Sequence, residues 1–280
     1  MTVILDGKGL SEKILDGLAV EIKENGYTPT LAVVLVGNNP ASEVYVSVKE
    51  KACKRIGVNS VIVKFDDNVA EKELLNKIEE LNNDSNIDGI LVQLPLPKHI
   101  NNFNVINKIS PDKDVDGFTV HNVGCIALGV KPYCYPCTPK GILKIFDEYG
   151  INLEGKNVTV IGRSNIVGKP MANLLLNLNA TVTHCHSKTL SLEEKTKNAD
   201  IIISAVGNPK FITADMVKDN AVVIDVGIFR LEGKLVGDVD FETVSDKASY
   251  ITPVPKGVGP LTIASLMDNT VELYKLHKGI

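Results

Sequence analysis

Tyr45 and Lys49 stand four residues apart in "PASEVYVSVKEKACKRIG", residues 40–57. In a helix, positions i and i+4 lie one above the other on one face, so a phenol and an ammonium would be neighbours. A lysine in a desolvated site can move a proton both ways, as base and then as acid. Val44, Val48, Ala52 and Ile56 recur every fourth residue and read as the apolar stripe of a helix packed on a core. Tyr45 and Lys49 then fall one position round from the stripe and flank it. The same spacing also suits plain packing, with the lysine stem snorkelling and the tyrosine covering the edge of the stripe.

A second candidate is Gln93 in "DGILVQLPLP" (88–97), a polar amide closing an apolar run that Pro95 and Pro97 terminate. Such an amide needs hydrogen-bond partners, and strand carboxyl ends are where ligands bind in α/β folds. "KDVDGF" (113–118) places Asp114 and Asp116 before Gly117, the composition of a turn. "NVTVIGRSNIVGKP" (157–170) is an apolar strand running into a glycine-containing turn and a helix, where backbone N–H groups would meet a pyrophosphate. Its fingerprint departs from G-x-G-x-x-G: Gly162 is first, Ser164 takes the second slot, and Val167 with Gly168 the third. The following strand ends in His184, Cys185, His186, Ser187 and Lys188, without the acid that usually accepts from ribose hydroxyls. With Arg163 in the turn, that composition suits the additional 2′-phosphate of NADP, the alternative being a solvated basic surface. "TPVPKGVGPLT" (252–262) is too rich in Pro and Gly for regular structure and lets backbone approach a flat ligand.

These residues need a scaffold, and the periodicity supplies one. Strand-like runs at 31–37, 58–65 and 88–97 alternate with helical stretches at 10–22, 40–57 and 70–83. Residues 110–137 have no clean period and read as a long connection lining a functional cleft. A helix starts at "CTPKG", with Thr138 as N-cap and Pro139 in its first position, and closes at Gly150. A second run follows: strands at 157–162, 180–185, 200–206 and 221–227, a helix near 167–178, a hairpin or irregular excursion at 229–238, and a helix after Pro260. The fold class is α/β, with two α/β domains around a cleft, the second Rossmann-like with a parallel sheet.

Composition narrows the function classes. The 280 residues suffice for two domains, 44% are hydrophobic, and the net charge of −4 gives no nucleic-acid surface. No apolar run reaches the roughly 20 residues that span a bilayer, and none resembles a signal peptide, so a cytoplasmic location is expected. The five cysteines include a C-x-x-C at Cys134 and Cys137, but no second pair stands at zinc spacing, so ordinary thiols and no metal are expected.

Taken in order, "PASEVYVSVKEKA", "GILVQLPLP", "KDVDGF", "PCTPKG", "GRSNIVGKP", "HSKT" and "TPVPKGVGP" resemble the bifunctional methylenetetrahydrofolate dehydrogenase/cyclohydrolase family over nearly the whole chain. One departure is Lys256, which with Gly257 replaces the two glycines usual in that family. The resemblance implies oxidation of 5,10-methylenetetrahydrofolate with NADP, then hydrolysis of the methenyl product to 10-formyltetrahydrofolate. It implies a folate-binding catalytic domain over 1–118, completed by the helix 261–280, and an NADP-binding domain over 138–260.

The resemblance also implies roles. Lys49 is the general acid/base, Gln93 orients it, Tyr45 stacks on the folate and Asp116 binds the pterin. Val92, Leu94, Pro255, Gly257 and Gly259 are further substrate contacts. Gly162, Arg163, Ser164, Val167, Gly168, Ser187 and Ile228 hold the cofactor. A homodimer through the NADP-binding domain is implied too. Two other readings remain. A short-chain-type reductase shares Tyr-x-x-x-Lys, but its glycine-rich turn precedes the tyrosine, whereas Tyr45 precedes Gly162 here. A non-enzymatic folate- or nucleotide-binding protein would not need Tyr45, Lys49, Gln93 and Asp116 together.

Overall fold

The computed structural model describes residues 1–231 and 233–280. In chain order the elements are β1 (Val3–Ile4), α1 (Gly7–Asn25), β2 (Thr30–Val36), α2 (Pro40–Ile56), β3 (Asn59–Phe65), α3 (Glu71–Asn83) and β4 (Gly89–Val92). Then come α4 (Asn102–Lys108), α5 (Val120–Ala127), α6 (Cys137–Glu148), β5 (Asn157–Ile161), α7 (Gly168–Asn177), β6 (Thr181–Cys185) and α8 (Leu192–Lys197). The last are β7 (Ile201–Ser204), β8 (Val222–Asp225), β9 (Phe229–Leu231), β10 (Lys234–Val236), α9 (Phe241–Ser245), β11 (Tyr250–Ile251) and α10 (Val258–Lys278).

The chain divides into two compact units. One comprises residues 12–125, 130–137 and 263–280. Its sheet has the order β3-β2-β4, all parallel, with Val34 of β2 opposite Val63 on one side and Val92 on the other. β2 is apolar throughout because both its faces are covered. Leu31, Val33 and Leu35 pack with Leu18, Val46, Ile56 and Met267, while Ala32, Val34 and Val36 pack with Leu74, Ile78 and Val105.

Helix α2 differs from its expected packing. Val44 and Val48 are 62% and 41% exposed, and the buried residues are Ser42, Val46, Ala52, Cys53 and Ile56. The reason is geometric: each i+4 step overshoots a full turn by about 40°, so a row spaced strictly by four drifts off the face. Alternating steps of four and three hold a face, and 42, 46, 49, 53, 56 is such a row. Lys49 therefore lies on the packed side of α2, half-buried, instead of beside it. Asn39 fixes the start of the helix, its Oδ1 accepting from the N–H groups of Ala41 and Ser42, and Gly57 ends it at φ +88°.

The connection 110–137 contains α5, whose eight residues bury one polar side chain, Asn122, and one apolar one, Ile126, too few for a hydrophobic period to reveal it. Asn122 is fully buried and donates from Nδ2 to Pro111 O and to Asp114 Oδ2, both at 3.0 Å.

The other unit comprises residues 1–11, 126–129 and 138–262. Its six strands run in the order β1-β11-β8-β7-β5-β6, every neighbouring pair parallel. This is a doubly wound sheet with a Rossmann-like core. The N-terminal strand β1, expected with the first domain, pairs here: Val3 stands opposite Tyr250 and Ile4 opposite Ile251. Two residues of strand carry too little pattern to assign from sequence. At the start of α6, helical structure begins at Cys137, and the hydroxyl of Thr138 lies 3.0 Å from that of Thr262 instead of capping. The excursion at 229–238 is the antiparallel hairpin β9–β10, with Glu232 outside the described residues.

Ile90 is fully buried at the centre of β4, between β2 and the residues around Asp114. Ile90→Ala should lower stability by about 2–5 kcal/mol. Urea denaturation followed by circular dichroism measures this, and a loss below about 1 kcal/mol would mean the site collapses around the deletion.

Candidate functional site

In the first unit the chemistry gathers at the carboxyl end of β4. Gln93 follows the strand directly and its backbone N–H donates to Val34 O at 2.8 Å, continuing the ladder one residue past Val92. Val92 is buried in the core, and Leu94 is packed against the same cluster. The Gln93 amide is oriented from both ends. Its Nε2 donates to Leu94 O at 2.6 Å, which turns Oε1 towards α2, where it accepts from Lys49 Nζ at 2.9 Å. A half-buried ammonium thus meets a neutral acceptor instead of a carboxylate at hydrogen-bond distance. Tyr45, one turn earlier, is half-exposed.

The two acids of "KDVDGF" separate cleanly. Asp114 is buried and saturated: its oxygens accept from Gly117 N–H at 3.0 Å, Thr119 N–H at 2.8 Å and Asn122 Nδ2 at 3.0 Å. It is the turn former. Asp116 meets the Cys137 thiol, at 3.8 Å, and is close enough to Lys49 to feel its charge. Desolvation pushes its carboxyl up to about 6, against the opposing pull of Lys49 and with a smaller push from Asp114. Gly117 makes the turn possible, at φ +70°, and a Cβ there would come within 2.7 Å of Pro136 N.

Sequence reasoning missed the residue that braces this segment. Asn269 of α10 is fully buried and donates from Nδ2 to Val115 O at 2.8 Å and Tyr135 O at 2.9 Å, so both arms of the connection hang on one amide. An Asn inside an apolar helix was the available signal. Cys134 and Cys137 are buried thiols and not a disulfide, and among the described residues no group of three or more His, Cys, Asp or Glu is placed to hold a metal.

In the second unit the turn after β5 is shaped for close approach. Gly162 sits at φ +117°, and a Cβ there would lie 2.2 Å from Ala205 O; one at Gly168 would lie 1.9 Å from Gly162 O. Ser164 substitutes for the second glycine by capping: its Oγ accepts from Val167 N–H at 3.2 Å and Gly168 N–H at 3.3 Å at the start of α7. Gly162, Arg163, Ser164 and Ser187 line one cavity of about 580 Å³ together with Ala205, Val206 and Asn208. No carboxylate lines it among the described residues. Such a cavity, at the carboxyl ends of β5, β6 and β7, could hold a dinucleotide.

Val167 and Gly168 build the turn without lining the cavity, and Ile228 lies beyond β8, its Cδ1 3.2 Å from where a Cβ on Gly259 would be. In the loop after β11, Pro255 is exposed and Gly257 buried, with no room for a Cβ beside Pro253 O. Lys256 adopts φ +85°, the left-handed region where glycine is usual, at a cost of roughly 1–2 kcal/mol. Its carbonyl accepts from Lys8 N–H at 2.9 Å, which pins that conformation.

Residues 5–116 match the model of the tetrahydrofolate dehydrogenase/cyclohydrolase catalytic domain, and residues 136–278 that of the family's NAD(P)-binding domain. The bifunctional protein FolD of Nautilia profundicola is 56% identical over 276 residues, 97% of each chain. The crystal structure of the bifunctional FolD methylenetetrahydrofolate dehydrogenase/cyclohydrolase from Campylobacter jejuni superposes with a TM-score of 0.96, at 51% identity over 99% of both chains. The Trypanosoma brucei methylenetetrahydrofolate dehydrogenase-cyclohydrolase, solved in complex with NADP and an inhibitor, gives 0.93 at 35% identity over 98% of both. With the site geometry and both domain models in agreement, the chain belongs to the tetrahydrofolate dehydrogenase/cyclohydrolase family.

Proposed function

We propose that this chain oxidises 5,10-methylenetetrahydrofolate to the methenyl form with NADP and hydrolyses that product to 10-formyltetrahydrofolate. The observation that carries the reading is the 2.9 Å hydrogen bond from Lys49 Nζ to Gln93 Oε1, near the carboxyl of Asp116, in a chain of this family.

In the hydrolytic half, water adds to the methenyl carbon, and the bond from that carbon to N5 breaks as N5 gains a proton. The formyl group remains on N10. The attacking water loses both protons as it becomes the formyl oxygen; one reaches N5, the other is released to solvent, and Lys49 is the group that moves them. Gln93 can accept from the ammonium without neutralising it, so it holds the amine in place in either protonation state. Tyr45 offers a half-exposed ring for stacking against the flat pterin and benzoyl system, and Asp116 accepts from pterin N–H groups. The methenyl carbon is already electrophilic, so the residues need supply only orientation and proton transfer.

The second unit fits the cofactor. The pyrophosphate has the backbone of the Gly162–Ser164 turn, and Arg163 with Ser187 suits a 2′-phosphate. Bound NADP supplies the acceptor for the hydride that the oxidation removes. The reading extends to a homodimer joined through this unit, supported by the open edge at β6 with exposed Leu176 and Leu178 beside it, and to a cytoplasmic location. Among the described residues no helix is long and apolar enough to cross a membrane.

Absorbance of the methenyl product, followed with NADP and with NAD, tests the function directly. Lys49→Met should cut methenyl hydrolysis by about a hundred- to ten-thousand-fold and dehydrogenation much less. Full hydrolytic turnover in a folded Lys49→Met protein would return Lys49 to a packing role.

Arg163→Ala should raise KM for NADP by about tenfold and leave NAD nearly untouched. Equal losses with both cofactors would make the arginine structural.

Asp116→Asn tests the third role. The raised carboxyl means that, between about pH 4 and 6, the folded protein holds a proton the unfolded chain has released. Stability from this group therefore falls as pH rises through that window and stays low above 6. Asp116→Asn should remove that slope, raising stability at pH 7 by about 1–2 kcal/mol while weakening folate binding. Urea denaturation across pH and folate titration measure the two; a stabilised variant with unchanged folate affinity would separate the acid from the substrate.

A further inference from the structure

The dinucleotide cavity has one wall that no turn motif explains. Residues 205–208 leave β7 next to the Gly162 turn, where Ala205 N–H donates to Ile161 O at 2.8 Å, and Ala205, Val206 and Asn208 line the cavity. Their backbone is held by one side chain from a distant part of the chain. Asp238 is fully buried; its Oδ2 accepts from Ser204 Oγ at 3.0 Å and from Val206 N–H at 2.8 Å, and its Oδ1 from Asn208 N–H at 2.9 Å. Asp238 is in turn seated by a second buried acid at the end of β8. Asp225 Oδ1 accepts from Asp238 N–H and Gly227 N–H, and its Oδ2 from Val239 N–H, each at 2.9 Å. Thr252 Oγ1 accepts from Asp225 N–H at 2.7 Å, which ties the relay to the loop after β11.

We propose that Asp238, seated by Asp225, is the positioning residue that fixes the 205–208 wall of the cavity and so sets the affinity for NADP. The inference rests on the NADP reading above.

Two buried carboxylates side by side are an expensive way to hold loops. Burial pushes the carboxyl of Asp225 up to about 6, against the pull of its backbone donors. The chemistry explains the choice of residue. A carboxylate accepts at both oxygens, whereas an asparagine presents one oxygen and turns an NH₂ group against the remaining donors. Asp238 meets three donors on two oxygens, a demand that a carboxyl group can satisfy and a side-chain amide cannot. The neighbouring glycines make room: a Cβ on Gly227 would lie 2.4 Å from Asp238 Oδ1, and one on Gly237 would lie 1.9 Å from Asp225 Oδ2. Neither acid lines the cavity beside Arg163, so the effect on the ligand passes through the backbone of 205–208.

Asp238→Asn in the full chain should raise KM for NADP by about tenfold or more, with kcat for the oxidation changed far less. Amide hydrogen exchange at Val206 and Asn208 should accelerate by a similar factor. Hydrolysis of the methenyl substrate, assayed without any dinucleotide, reports on the integrity of the other unit. Ser204→Ala removes one donor and is the gentler variant, expected to raise KM for NADP by about threefold. An unchanged KM for NADP in folded Asp238→Asn and Ser204→Ala proteins would overturn the proposal. So would parallel loss of kcat, hydrolysis and thermal stability, which marks a general structural role. Failure of the unmodified protein to bind NADP in a fluorescence titration would instead remove the cofactor reading itself.

Discussion

A half-buried ammonium on the packed side of a helix needs an acceptor at a defined place, and the first unit is arranged around that need. Lys49 occupies a position in the 42, 46, 49, 53, 56 row where an apolar residue would be ordinary. Its acceptor, Gln93, is delivered by the parallel pairing of β2 with β4, since the residue after Val92 donates its N–H to Val34 and leaves its side chain at the strand end. Turning the Gln93 amide would place an NH₂ against an ammonium, and the bond to Leu94 O prevents it. Register, strand length and amide orientation all converge on one 2.9 Å contact.

The same economy of roles explains two aspartates two residues apart. Asp114 uses its carboxylate to fold the chain, satisfying three donors and closing a turn that Gly117 permits. That structural work leaves Asp116 with a thiol partner at 3.8 Å, so its carboxyl is desolvated without being saturated. A carboxyl in that state gains most from a ligand that donates N–H groups. A turn acid and a binding acid therefore differ here in their hydrogen bonds, not in their sequence surroundings.

Much of this is legible in the sequence because the signals are strong and local. Apolar runs bounded by Pro and Gly mark β2, β4, β5 and β8, and the strand–turn–helix around Gly162 locates the dinucleotide cavity. The features that sequence does not reveal depend on polar burial or on partners far along the chain. A stripe read by fours misplaces the buried face of α2, because Ser42 and Lys49 lie on its packed side while Val44 and Val48 do not. Helix α5 is hidden because it is short and one of its two buried side chains is Asn122, and β1 because it pairs with β11, nearly the whole chain away. Lys256 is visible as a departure from the family pattern, but its meaning requires a backbone angle.

The second unit shows how such distant partners shape a site. Its phosphate turn is built from local features: glycines where a Cβ would collide and a serine that caps the helix it precedes. The wall built by residues 205–208 has no such local logic. Residues 205–208 begin no helix, and the N–H groups of Val206 and Asn208 find their acceptors on Asp238, about thirty residues later. Parallel sheets impose this division, because each strand returns to the other end before the next begins. Neighbouring loops at one end of the sheet then come from remote segments, and side chains must tie them together. In this chain buried carboxylates are the ties, because one carboxylate satisfies several backbone donors at once.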